Sequence, residues 1–188
     1  LAGHPRVTLT TAMSSGTRQT SLPKMARIWD GELVPLSVDQ LAEKTKAAFL
    51  ALPDPVTAEV VPALVERGVR VFDLSGTFRL RNSEQRAKWY PAASDTVAST
   101  AVYGLPEHCG NTLRDATLIA CPGCYPTAAL LALHPLITAD LLADDLVVDA
   151  KSGLSGAGKT PSERTHFSEC YGNVASYGIF SHRHAAEI

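Results

Sequence analysis

Short apolar runs alternate with helical stretches along this chain, and the alternation predicts a parallel sheet joined by crossover helices. Residues 6–12 (RVTLTTA) are rich in β-branched side chains and follow a His-Pro break, so they read as a strand. Residues 47–52 form a continuous apolar run ended by Pro53, the pattern of a strand buried on both faces. Residues 56–67 carry Val60, Leu64 and Val65 at helical spacing and stop at Gly68, where a glycine can close a helix in the left-handed conformation. Residues 69–74 supply the next strand and complete a βαβ unit.

The stretch from 75 to 110 is polar and irregular; residues 82–88 predict one surface helix, and residues 91–100 read as loop. A second strand–turn–helix follows, with the strand at 116–120, the turn at Cys121-Pro122-Gly123 and the helix at 125–134. That helix is apolar on nearly every face, so it is expected to be buried. Residues 146–150 predict a further strand running into a Gly/Ser loop, residues 152–159.

Composition narrows the function. The 188 residues amount to about 1.3 domains by length, and 45% apolar against 19% charged residues is enough to build a core. That excludes a disordered or collagen-like chain. A net charge of -2 gives no basic face, which argues against nucleic acid as partner. No apolar run approaches the roughly 18 residues that span a bilayer, and no leader pattern opens the chain, so a cytoplasmic protein without membrane contact is expected. The absent initiating Met and the abrupt end at Ile188 read as the interior of a longer protein.

The four cysteines are too few for a disulfide scaffold and are expected as thiols. Cys124 stands out. Gly123 suits a tight strand-to-helix turn and Pro126 suits a first helical turn, so Cys124 falls beside the unpaired N–H groups of a helix N-terminus. Those groups and the helix dipole favour an anion, here the thiolate, at the strand ends where open α/β sheets place ligands. This makes Cys124 a candidate nucleophile. Three other uses of the motif compete: a small buried residue, half of a zinc site, and a thioredoxin-like dithiol. Cys109 and Cys170 are isolated and supply no second pair, so no metal is expected. The dithiol would attack through Cys121 rather than Cys124.

A thioester-forming cysteine needs a proton carrier, and His182 and His184 flank Arg183 in a chain with only six histidines. Glu187 lies three residues past His184 and shares its face if the segment is helical. The loop containing Ser152, Gly153, Ser155, Gly156 and Gly158 follows a strand, and its glycines let backbone approach a bound group; it lacks P-loop spacing. Arg79 lies just past a strand end, where a guanidinium can grip a phosphate through two bonds. Ser14, Ser15 and Arg18 follow the first strand and suit an adenosine 2′-phosphate.

Five motifs, VFDLSGTFRL (71–80), YGLPE (103–107), LIACPGCYPTAALLAL (118–133), SGLSGAGK (152–159) and SHRHAAEI (181–188), resemble the N-acetyl-γ-glutamyl-phosphate reductase family of arginine biosynthesis. That family is related to the aspartate-semialdehyde dehydrogenases. The resemblance implies an α/β fold, with a Rossmann-type parallel sheet lacking its first strand and Gly-rich turn at 1–118 and the start of an α+β catalytic domain at 119–188. It implies an NADP-dependent enzyme that reduces a small acyl phosphate to a semialdehyde through a cysteine thioester and works as a homo-oligomer, a dimer or tetramer.

By the same resemblance Cys124 is the nucleophile, and one of His182 and His184 is the acid/base. Arg79, Ser152, Gly153 and Glu187 contact substrate; Ser14, Ser15, Arg18, Ser155, Gly156 and Gly158 contact NADP. A carrier-protein-linked aminoadipyl or glutamyl phosphate is the alternative substrate, and a non-catalytic fragment the alternative from another class. In that family the Gly-rich pyrophosphate turn precedes Leu1, so these residues alone are expected to bind NADP weakly. Where the family has His-Gly after the 47–52 strand, this chain has Asp54-Pro55.

Overall fold

A computed structural model describes residues 1, 3–16, 29, 31–142, 145–158 and 160–188. The chain divides into two compact units, Leu1–Gly123 and Cys124–Ile188.

The first unit is α/β. It begins with β1 (Ala12–Ser14), β2 (Leu33–Pro35), α1 (Val38–Lys44), β3 (Ala47–Leu50), α2 (Asp54–Glu66) and β4 (Arg70–Asp73). It continues with α3 (Ser83–Trp89), α4 (Asp95–Thr100), β5 (Val102–Tyr103), two single-turn helices α5 (Pro106–Cys109) and α6 (Thr112–Asp115), and β6 (Leu118–Ala120). Four strands form one parallel sheet in the order β3-β4-β6-β5, and β1 and β2 pair in parallel as a separate ribbon.

The expected βαβ unit is present as β3–α2–β4, with Ala48 opposite Val71 and Leu50 opposite Asp73. Helix α2 buries Thr57, Val60, Val61 and Leu64, and the last three join Val71, Phe78, Leu118 and Ala120 in the core. Gly68 closes the helix at φ 75°. Its N–H donates to the Val65 carbonyl and that of Val69 to the Leu64 carbonyl, the paired bonds of a glycine C-terminus.

Several sequence expectations need correction. The strand expected at 6–12 is confined to Ala12–Ser14, because its partner β2 is three residues long and ends in Pro35. Strand β3 is buried on one face only: Phe49 stays 47% exposed and stacks on Phe72 with ring centroids 4.5 Å apart. The loop expected at 91–100 contains α4, with Ala98 buried. It is anchored by Arg86, whose guanidinium donates to the Leu80 and Arg81 carbonyls and pairs with Asp95. That leaves Arg86 only 4% exposed, so α3 is not the purely surface helix its sequence predicts.

The second unit opens with α7 (Cys124–Thr138), followed by short 3-10 turns and the single-turn helix α8 (Phe167–Cys170). Helix α7 runs past His134 and through Pro135, and it is not buried: only Pro126 and Ala129 are enclosed, while Leu131, Leu136 and Ile137 face solvent. The strand expected at 146–150 is absent; Val147 is 91% exposed and no described residue pairs with this segment in a sheet. β-branched residues favour a strand only where a neighbouring strand accepts their hydrogen bonds. No helix among the described residues is long and apolar enough to cross a membrane.

Candidate active site

Two polar clusters carry the candidate chemistry, one in each unit. In the first, parallel pairing aligns the carboxyl ends of β4 and β6, and the Cys121 N–H donates to the Asp73 carbonyl (2.8 Å). The Asp73 carboxylate accepts from the Ser75 N–H (2.8 Å) and the Ser75 hydroxyl (3.0 Å), whose oxygen also lies 2.8 Å from that of Thr77. Asp54, at the start of α2, reaches across to accept the Gly76 N–H (2.9 Å), and its backbone carbonyl accepts the Thr77 hydroxyl (3.2 Å). Gly76 suits this place, since a Cβ would collide with the buried Tyr90 ring. This turn delivers Arg79, nearly buried, with Nη2 donating to the Leu74 carbonyl (2.8 Å).

Burial pushes the Asp73 carboxyl above its ordinary 3.8; the Ser75 hydrogen bonds and the Arg79 charge pull it back, and the Asp54 charge adds to the rise. A carboxyl raised on folding stabilises the fold below pH 3.8 and loses that contribution as the pH rises through its folded value. Asp73→Asn, which keeps an acceptor for Ser75, is therefore expected to gain stability relative to wild type as the pH rises from about 4 to 7. Thermal melts of both proteins across that range check it, and parallel pH curves would contradict it.

Cys121 belongs to the same ledge. Burial and the charge of Asp73 push its thiol above the ordinary 9.0, with Arg79 opposing. That is the reverse of what an attacking first cysteine of a dithiol needs. All four cysteines are free thiols, and Cys124 is the exposed one.

In the second unit Cys124 is the first residue of the 15-residue α7. Tyr125, next in the chain, shares a hydroxyl–hydroxyl hydrogen bond of 2.5 Å with Tyr177. The His182 ring lies edge-on to both tyrosines at 5.4 and 5.5 Å, and His184 lies 4.7 Å from His182 and 5.9 Å from Tyr125. His182 heads the 3-10 turn Arg183–Ala186 and accepts the His184 N–H at Nδ1 (3.2 Å), so its neutral ring keeps the proton on Nε2. His184 Nε2 faces Glu187 Oε1 at 3.9 Å, and the Glu187 side chain is fully enclosed.

Burial, then the Tyr125 hydrogen bond and charge, then the charge of Cys124 push the Tyr177 hydroxyl up to about 12, with Arg164 opposing from 5.5 Å over its ring. This unit thus gathers Cys124, His182, His184 and Glu187, together with Tyr125, Tyr177 and Arg164, which sequence reasoning did not single out. Tyr125 could have been found, as it lies within the Cys124 motif; Tyr177 is a 52-residue contact with no local signal.

The loop residues Ser152, Gly153, Ser155, Gly156 and Gly158 are exposed around the 3-10 turn Leu154–Ala157. Open space stands where Gly153 and Gly158 would carry a Cβ, and Gly158 has φ 90°, so a phosphate or a flat ring can approach this backbone. Ser14 accepts the Gly16 N–H (3.2 Å) at the end of β1, with Ser15 exposed beside it. These hydroxyls and glycines suit a dinucleotide. Arg18 and Lys159 lie outside the described residues.

A parallel sheet with a polar carboxyl edge, followed by a cysteine-headed helix among histidines, defines a Rossmann-type domain joined to a thiol-bearing unit. Residues 1–116 match the semialdehyde dehydrogenase NAD-binding domain and residues 124–188 the semialdehyde dehydrogenase dimerisation domain, so the chain belongs to the semialdehyde dehydrogenase family. Within it, the chain is similar to proteins named N-acetyl-gamma-glutamyl-phosphate reductase. It is 44% identical to that of Geobacillus stearothermophilus over 195 residues, covering 100% of this chain and 56% of the relative. Against that of Geobacillus sp. strain WCH70 it is 44% identical over 171 residues (89% and 50%), and against that of Synechococcus elongatus 45% over 156 (81% and 44%). The chain spans about half the length of these curated relatives.

Proposed function

We propose that the complete protein reduces N-acetyl-γ-glutamyl phosphate to N-acetylglutamate semialdehyde with NADPH, through a thioester on Cys124. The observation that carries this reading is the exposed Cys124 at the N-terminus of α7, in one unit with two imidazoles and an enclosed carboxylate. The Cys124 sulfur attacks the acyl carbon, a C–S bond forms, the C–O bond to phosphate breaks and phosphate leaves. Arg79 is the phosphate ligand, with the backbone of the loop at Ser152 and Gly153 beside the substrate.

NADPH, when bound, supplies the hydride that the thioester carbon accepts. Ser14, Ser15, Ser155, Gly156 and Gly158 are the described residues assigned to hold it. One of His182 and His184 then gives its proton to the departing sulfur, and Glu187 holds the imidazole in place. The matched dimerisation domain supports a homo-oligomer, and a cytoplasmic location suits a phosphorylated metabolite and free thiols.

The test runs the reaction backwards on the full-length protein. NADP reduction by the semialdehyde should require inorganic phosphate and yield the acyl phosphate. Equal reduction without phosphate would overturn the acyl phosphate as the substrate.

A further inference from the structure

Two hydroxyls and one short segment link the histidines to the nucleophile helix. Tyr125 is fixed by α7 directly after Cys124, and its hydroxyl meets that of Tyr177 at 2.5 Å. From Tyr177 the chain reaches His182 in five residues, through a turn closed by the Ser181 N–H donating to the Gly178 carbonyl (3.0 Å). Gly178 and Phe180 both adopt left-handed backbone, at φ 59° and 53°, and a Cβ on Gly178 would stand 3.1 Å from the His182 ring. A link this short and this constrained transmits the position of the Tyr177 ring to His182. His182 then fixes His184 through the backbone N–H it accepts.

We infer that Tyr177 is a positioning residue: its hydroxyl bond to Tyr125 clamps the histidine-bearing segment onto the first turn of α7 and so sets the imidazoles against Cys124. The inference rests on the nucleophile assigned to Cys124 above. Burial and the bond to Tyr125 push the Tyr177 hydroxyl up to about 12, in keeping with a group that stays in its hydrogen bond rather than ionises. Its part is to hold a geometry, and removing the oxygen alone dissolves the clamp while leaving the ring contacts with His182 and Arg164.

The test uses the full-length protein with Tyr177→Phe, Tyr125→Phe and the double variant. Iodoacetamide alkylation of Cys124, located by peptide mass, reads the thiol without substrate or cofactor. Each single variant should alkylate about fivefold more slowly at neutral pH, the factor one neutral hydrogen bond is worth, and the double variant no more slowly than either. In turnover, kcat should fall by a similar factor with KM within about twofold. Unchanged alkylation in both single variants, or effects that multiply in the double, would overturn the clamp. Wild-type Cys124 reacting no faster than a free-peptide thiol would overturn the nucleophile assignment and the clamp with it. A full alkylation effect in a protein inactive on the acyl phosphate would keep the clamp and remove only the proposed substrate.

Discussion

Cys124→Ser in the full-length protein is expected to lower kcat by at least about 10⁴-fold while leaving NADPH affinity within about twofold. Serine keeps the size and the exposed place at the head of α7, but its hydroxyl is almost never ionised at neutral pH, and a helix N-terminus cannot make up that difference. An oxygen ester would also resist hydride more than a thioester, because oxygen donates into the carbonyl where sulfur does so poorly. Both halves of the reaction are therefore lost together. Steady-state kinetics with a parallel NADPH fluorescence titration check it. Activity within tenfold of wild type would end the covalent route, and an equal loss from Cys121→Ser would revive the dithiol. The raised thiol of Cys121 argues that this second variant stays active.

The second large effect is expected at the histidine pair. His182→Gln/His184→Gln should lower kcat by about 10² to 10⁴, the range over which a positioned proton carrier contributes. Glutamine at 182 can still accept the backbone N–H of residue 184, so the 3-10 turn retains its cap. What disappears is a ring nitrogen that can take up and release a proton. The enclosed Glu187 then faces an amide where His184 stood, and no proton reaches the departing sulfur. The reaction should stall after hydride transfer, with the reduced substrate held on Cys124 as a hemithioacetal that shows as an intact-mass increment. A double variant that turns over within tenfold of wild type, with no increment, would place the acid elsewhere.

What the sequence made legible was whatever local chemistry dictates. The β3–α2–β4 unit could be read because its helix has one apolar face and a glycine that only a left-handed position explains. The α7 start could be read for the same reason, from Gly123 and Pro126. Helix α4 was hidden because its six residues are mostly polar and its anchor, Arg86, comes from another helix. Residues 146–150 have the composition of a strand and α7 that of a buried helix, yet among the described residues neither finds a partner strand or a cover; pairing and covering are properties of the surroundings. In the candidate site, Cys124, His182, His184 and Glu187 were legible as motif residues, whereas Tyr177 and Asp54 act through contacts 52 and 22 residues away.

Asp54 has a consequence of its own. By accepting the Gly76 N–H and the Thr77 hydroxyl, it staples the segment after β3 to the segment after β4. These neighbours at the sheet edge consequently share one rigidity. A guest that immobilises the α2 entrance finds the Arg79 turn already stiffened, so the entropic toll of the second docking event is settled by the first.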